Sequence, residues 1–144
     1  MCPDKTWIKY EKHCYHLLTD KNNMTSCRQE CVQLGGDLAS IHSLEENKFV
    51  SNLISTRPPR HGLGKGNTGK NTWIGGKYSQ DQEKFIWFDQ SEWDFVNWNS
   101  TYPFRYNEEK FSCVFLGHDI QNIEIWFNGM CVWADNTFDC ICKI

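Results

Sequence analysis

The sequence predicts an α+β fold in which two helices flank antiparallel sheets and disulfides staple the whole. Three observations predict it. Two stretches carry helical spacing between start and stop signals, several short runs are rich in β-branched and aromatic residues, and eight cysteines are spread over 144 residues. That length fits one domain, 1–144, with room for a real core.

The rest is arranged around Thr72-Trp73-Ile74-Gly75-Gly76, read as the central strand because a helix would need more length and no glycine pair. Before it, Trp7-Ile8-Lys9-Tyr10 and Cys14-Tyr15-His16-Leu17 read as a hairpin around Glu11-Lys12-His13. A first helix is expected from about Thr25 to Leu34, with Ser26 and Gln29 spaced as a capping box and Gly35-Gly36 as its stop. Cys27 and Cys31 then share one face. After the extended Asp37 to Ile41, Ser43 and Glu46 make a second capping box. Leu44, Phe49, Val50, Leu53 and Ile54 supply an apolar stripe, and Pro58-Pro59 end the helix.

A loop insertion of about 57–71 follows, with two prolines, four glycines and no apolar periodicity. Its glycines mimic nucleotide-binding patterns, but two prolines precede the run and a strand follows it, so no helix N-terminus can face a phosphate. Beyond the central strand, Phe85 to Phe88, Cys113 to Leu116, Ile123 to Phe127 and Phe138 to Ile144 read as strands. Between them a long loop of about 98–113 follows Trp93, Phe95 and Trp98 and contains Tyr102, Phe104 and Tyr106. Supporting core is the commoner role for such rings and a sugar-stacking platform the alternative.

The net charge of −3 argues against nucleic acid as a partner, and no apolar run reaches membrane-spanning length. Charge is uneven, because from Asn47 to Gln80 no residue is acidic. The cysteines lack zinc-knuckle spacing, so disulfides in an oxidising compartment are favoured over metal. Asn23 and Asn99 begin glycosylation sequons, which fit a secreted or extracellular chain. Met1 runs directly into Cys2-Pro3, as expected of a mature domain whose leader has been removed.

Cys31 to Ile41 with its Gly35-Gly36-Asp37-Leu38-Ala39-Ser40-Ile41 run, Trp73-Ile74-Gly75-Gly76, Phe85-Ile86-Trp87 with Ser91, Asn97-Trp98, Cys113-Val114, Trp126 to Cys131 and Ile141-Cys142 together resemble a C-type lectin-like domain. They cover almost the whole chain in order. Leu38 to Glu46 is similar to fish lectins and fish type II antifreeze proteins, and the opening is similar to natural-killer-receptor-like domains. The resemblance implies Cys2 paired with Cys14, Cys31 with Cys142 and Cys113 with Cys131. Cys27 and Cys140 remain, and a bridge between them beside the long one is geometrically natural.

Calcium-dependent members of the family bind sugars through an acid-and-amide triplet in the long loop and a Trp-Asn-Asp triplet further on, because calcium takes six to eight hard oxygens. Here those triplets align with Tyr102-Pro103-Phe104 and Trp126-Phe127-Asn128. Only Asn128, with Glu108 or Glu109, offers oxygens, so no metal is expected there and no cofactor is assigned. A structural calcium near Glu45 or Glu46 is left open against their bland role as helix-start charges, and Lys143 stands where similar sites often provide another acid.

The expected function is extracellular recognition of a glycan or protein partner. One reading is calcium-independent binding of a sulfated or otherwise anionic glycan through Arg57, Arg60, His61, Lys65, Lys70 and Lys77, with a solvated loop as the plain alternative. A second is protein binding with Tyr102, Phe104 and Tyr106 as anchors. Calcium-dependent sugar binding at a non-standard site and ice binding are the remaining alternatives. No enzyme is expected: His13, His16, His42, His61 and His118 have no metal spacing, and no serine or cysteine carries a nucleophile signature.

Overall fold

The structure is a computed structural model, and it describes residues 1–21, 23–56, 71–117, 124–132 and 138–144. The expected basic loop and the helix stop at Pro58-Pro59 lie outside the described residues.

The first hairpin joins β1 (Ile8–Tyr10) to β2 (His13–Lys21) around Glu11, whose φ of 55° makes the tight turn. Helix α1 is Met24–Gln33. Its cap corrects the sequence reading. Asn23, not Ser26, is the N-cap, and its side-chain oxygen accepts from the Ser26 amide at 2.7 Å. At the other end the Gly35 amide donates to the Val32 carbonyl and the Gly36 amide to Cys31, with Gly35 at φ +101°, so the glycine pair ends the helix by satisfying its last carbonyls. Only Asp37–Leu38 of the expected extended segment forms a strand, β3.

Helix α2 (Leu44–Ser55) is capped by Ser43 as its spacing predicts. Its buried face differs from the expected stripe. Leu44 is exposed, whereas Glu46, Asn47 and Ser51 are buried beside Val50 and Ile54. The polar members are satisfied: Asn47 accepts from the Trp126 indole at 2.7 Å and donates to the Glu124 carbonyl at 2.8 Å.

Strand β4 (Asn71–Ser79) is the hub, flanked by β5 (Lys84–Trp87), β6 (Cys113–Leu116) and β8 (Phe138–Lys143). Its pairing with β8 is parallel, so the sheet is mixed rather than antiparallel throughout. Strand β7 (Trp126–Gly129) pairs with β6 and begins three residues later than the run from Ile123 suggested; Ile123 itself is outside the described residues. Gly75 explains the glycine pair, because a Cβ there would lie 2.6 Å from the Leu38 carbonyl oxygen. Its bare backbone lets the segment after β3 dock, with the Gly75 amide donating to Ala39 at 2.8 Å.

Four disulfides join Cys2 to Cys14, Cys27 to Cys140, Cys31 to Cys142 and Cys113 to Cys131. Closing 111 residues through Cys31 and Cys142 contributes about 4–5 kcal/mol by loop entropy. The Cys27 to Cys140 bridge runs alongside it. Once the first is made, the second closes only a small extra loop and adds much less.

Candidate functional site

Glu46, in the first turn of α2, is not a solvated helix-start charge. Its carboxylate turns inward and accepts from the His42 amide at 2.7 Å, the Tyr15 hydroxyl at 2.5 Å and Lys143 Nζ at 2.6 Å. Lys143, at the end of β8, also donates to the Ser40 carbonyl and hydroxyl, so all three of its N–H groups are used. Burial pushes the Glu46 carboxyl up, but Lys143, Tyr15 and the His42 amide outweigh it and hold the group below the usual carboxylate range. Burial and the hydrogen bond to Glu46 push the Tyr15 phenol up.

Beside this network stands a constellation that sequence spacing did not reveal. His42 Nδ1 lies 2.7 Å from Asp94 and its Nε2 lies 3.1 Å from the Ser40 hydroxyl. The order acid, imidazole, hydroxyl is that of a hydrolase triad. Ser40 is only 1% exposed, however, and its proton is committed to Asp89 at 2.5 Å. No substrate reaches that oxygen, and the array is a structural clamp between the β3–α2 connection and the turn after β5.

In the long loop, the Tyr102-Pro103 peptide is cis and Phe104 follows it. Asn128 on β7 is buried and accepts from the Phe104 amide at 2.9 Å, while its Nδ2 donates to the Phe104 carbonyl at 2.7 Å and the Phe111 carbonyl at 2.8 Å. The amide oxygen that the sequence offered to a shell with Glu108 or Glu109 thus holds the loop backbone instead. Glu108 is gripped through two hydrogen bonds by Arg105, which keeps its carboxyl below the usual range. Among the described residues no group of three or more His, Cys, Asp or Glu side chains could hold a metal ion.

The three proposed aromatic anchors fall into two groups. Tyr102 meets Phe104 and Phe127 edge-on, and through Phe127 and Phe115 this chain of rings reaches Trp73 in the core. Tyr106 instead packs on Tyr78 and Phe85. Phe104 is 41% and Tyr106 38% exposed, whereas Tyr102 is half-buried. Of the basic set, Arg57, Arg60, His61, Lys65 and Lys70 lie outside the described residues; Lys77 sits half-buried on β4, paired in register with Ile86 and Cys113. Of the sequon residues, Asn23 caps α1, and Asn99 donates its amide to the Trp126 carbonyl where the long loop begins.

A family model for the lectin C-type domain matches residues 20–143. The chain belongs to the C-type lectin domain family. Mouse C-type mannose receptor 2 is 29% identical over 111 residues, 77% of this chain and 7% of that protein. The galactose-specific lectin nattectin of Thalassophryne nattereri is 30% identical over 102 residues, 71% of this chain and 58% of that protein. The chain therefore spans less than two thirds of either curated relative. A calcium-independent type II antifreeze protein superposes with a TM-score of 0.77 at 22% identity, over 100% of this chain and 94% of that one, which shows the shared fold. No helix among the described residues of the lectin domain is long and apolar enough to cross a membrane.

Proposed function

We propose that this lectin domain is an extracellular recognition module, not an enzyme, and that it binds glycans without a calcium-dependent sugar site in its long loop. The observation that carries the reading is the commitment of Asn128, whose side-chain oxygen and nitrogen are spent on Phe104 and Phe111. The surroundings agree, because Tyr102, Phe104 and Phe127 put rings where a calcium shell needs carboxylates and amides. The residues present do not fit that ion. At the Glu46 position an ammonium already supplies the positive charge that a structural calcium would bring. Four disulfides support an oxidising, extracellular setting.

A glycan array run in parallel with calcium and with chelator tests the reading. The expected result is the same set of bound glycans in both arms. Binding that disappears in chelator would overturn it. The exposure of Phe104 and Tyr106 favours, as a second reading, a protein partner docking on those rings. The antifreeze likeness carries the fold alone and adds no weight to ice binding.

A further inference from the structure

We infer that the ligand site is the groove between α1 and β4, and that it takes an acidic saccharide, one bearing carboxylate or sulfate groups. This rests on the glycan reading above and gives it a location outside the long loop. The groove has a volume of about 840 Å³, within the range of small-molecule sites. Thr25, Arg28, Gln29 and Val32 line it from α1 at the three- and four-residue spacing of one helical face. Lys77 lines it from β4 and Phe88 from the turn after β5, with the Cys113 to Cys131 bridge beside them.

Among the described residues that line it the charge is one-sided, since two side chains are cationic and none is acidic. Arg28 is pre-set: Nε and Nη2 donate to Asp37 at 3.1 and 3.3 Å, and the guanidinium lies 4.4 Å over the Phe88 ring. Among the described residues Nη1 meets no acceptor, so two N–H groups of a rigid fork are left for a ligand oxygen. Lys77 forms no ion pair among the described residues. Of the acids in the depressions it shares with the long loop, Glu108 is taken by Arg105, and Glu109 lines two of those depressions beside Lys77 but not the groove itself. Thr25 and Gln29 offer hydrogen bonds to sugar hydroxyls, and Val32, 51% exposed, offers apolar surface to the C–H face of a pyranose ring. An ammonium and a braced guanidinium fork in one groove select for acid groups on that ring.

The test measures binding of the full chain to a heparin-derived hexasaccharide and to a neutral chitin hexasaccharide, in chelator, by calorimetry. Lys77→Glu reverses the charge and Val32→Trp fills the groove without touching it; Lys48→Glu, on the exposed side of α2, controls for net charge. The wild type is expected to prefer the sulfated probe, Lys77→Glu and Val32→Trp to weaken it by at least about tenfold, and Lys48→Glu to leave it unchanged. If Lys77→Glu does not fold, Thr25→Glu brings an acid into the same groove from an exposed position on the α1 wall. Unchanged binding by Val32→Trp, or an equal loss in Lys48→Glu, would overturn the groove and leave the glycan reading standing. Wild-type preference for the neutral probe would overturn the acidic class. A wild type that binds no glycan on the array would overturn both.

Discussion

Replacing Lys143 by methionine is expected to cost about 3–5 kcal/mol of folding stability at neutral pH, because it leaves the Glu46 carboxylate buried without its ammonium. Replacing both partners at once, Lys143→Met with Glu46→Gln, should cost less than the single change, since no charge is then stranded. The pH profile carries the same information. In the wild type the folded Glu46 pKa lies below its ordinary value of 4.5, so its contribution is full above that value and is lost as pH falls through the folded pKa. In Lys143→Met the buried carboxyl is pushed up instead. Its penalty is then present at pH 7 and shrinks as acid protonates it. Guanidinium unfolding at neutral and mildly acidic pH, with the disulfides intact, checks this; a Lys143→Met loss that is small at pH 7 would contradict it.

Asn128→Ala should cost about 2–3 kcal/mol, from three hydrogen bonds worth about 1 kcal/mol each in a buried setting. The damage should be local as well, with faster amide exchange at Phe104 while β4 stays protected. Asn128→Asp separates the two roles open to this position. An aspartate only accepts hydrogen bonds, so it would face the Phe104 and Phe111 carbonyl oxygens with nothing to donate. It should therefore destabilise at least as much as alanine, with or without calcium. Recovery of the aspartate variant on adding calcium would mean that the loop is a metal site after all.

Local signals made much of the fold legible. Gly35-Gly36 stops a helix by backbone chemistry that needs no partner, and Ser43 caps one by its own side chain. The family pattern ordered three of the four cysteine pairs where spacing alone could not, and helix and strand geometry suggested the fourth, Cys27 with Cys140. What failed was whatever depended on distant chain segments. The parallel pairing of β4 with β8 joins Thr72 to Asp139, and no local period announces such a contact. Ser26 looked like a cap because its spacing to Gln29 matched, yet Asn23 had the oxygen in reach.

At the site the same division holds. Tyr102, Pro103 and Phe104 already showed that the loop's triplet lacks side-chain carboxylates and amides. The use of Asn128 to hold Phe104 and Phe111 was hidden, because an asparagine reads alike as ligand and as brace. Glu46 and Lys143 lie 97 residues apart, so their pairing is a tertiary fact. The groove was legible only in part: Lys77 stood out inside an acid-free stretch, while Arg28 and Phe88 became its neighbours through folding.

The most direct measurement for the central claim is a calorimetric titration of calcium into the chelator-stripped chain, paired with its melting temperature in each state. No saturable heat and an unchanged melting temperature are expected. A stoichiometric binding isotherm would contradict that claim, as would a rise of about 5–10 °C, the shift expected of a site saturated about a hundredfold above its Kd.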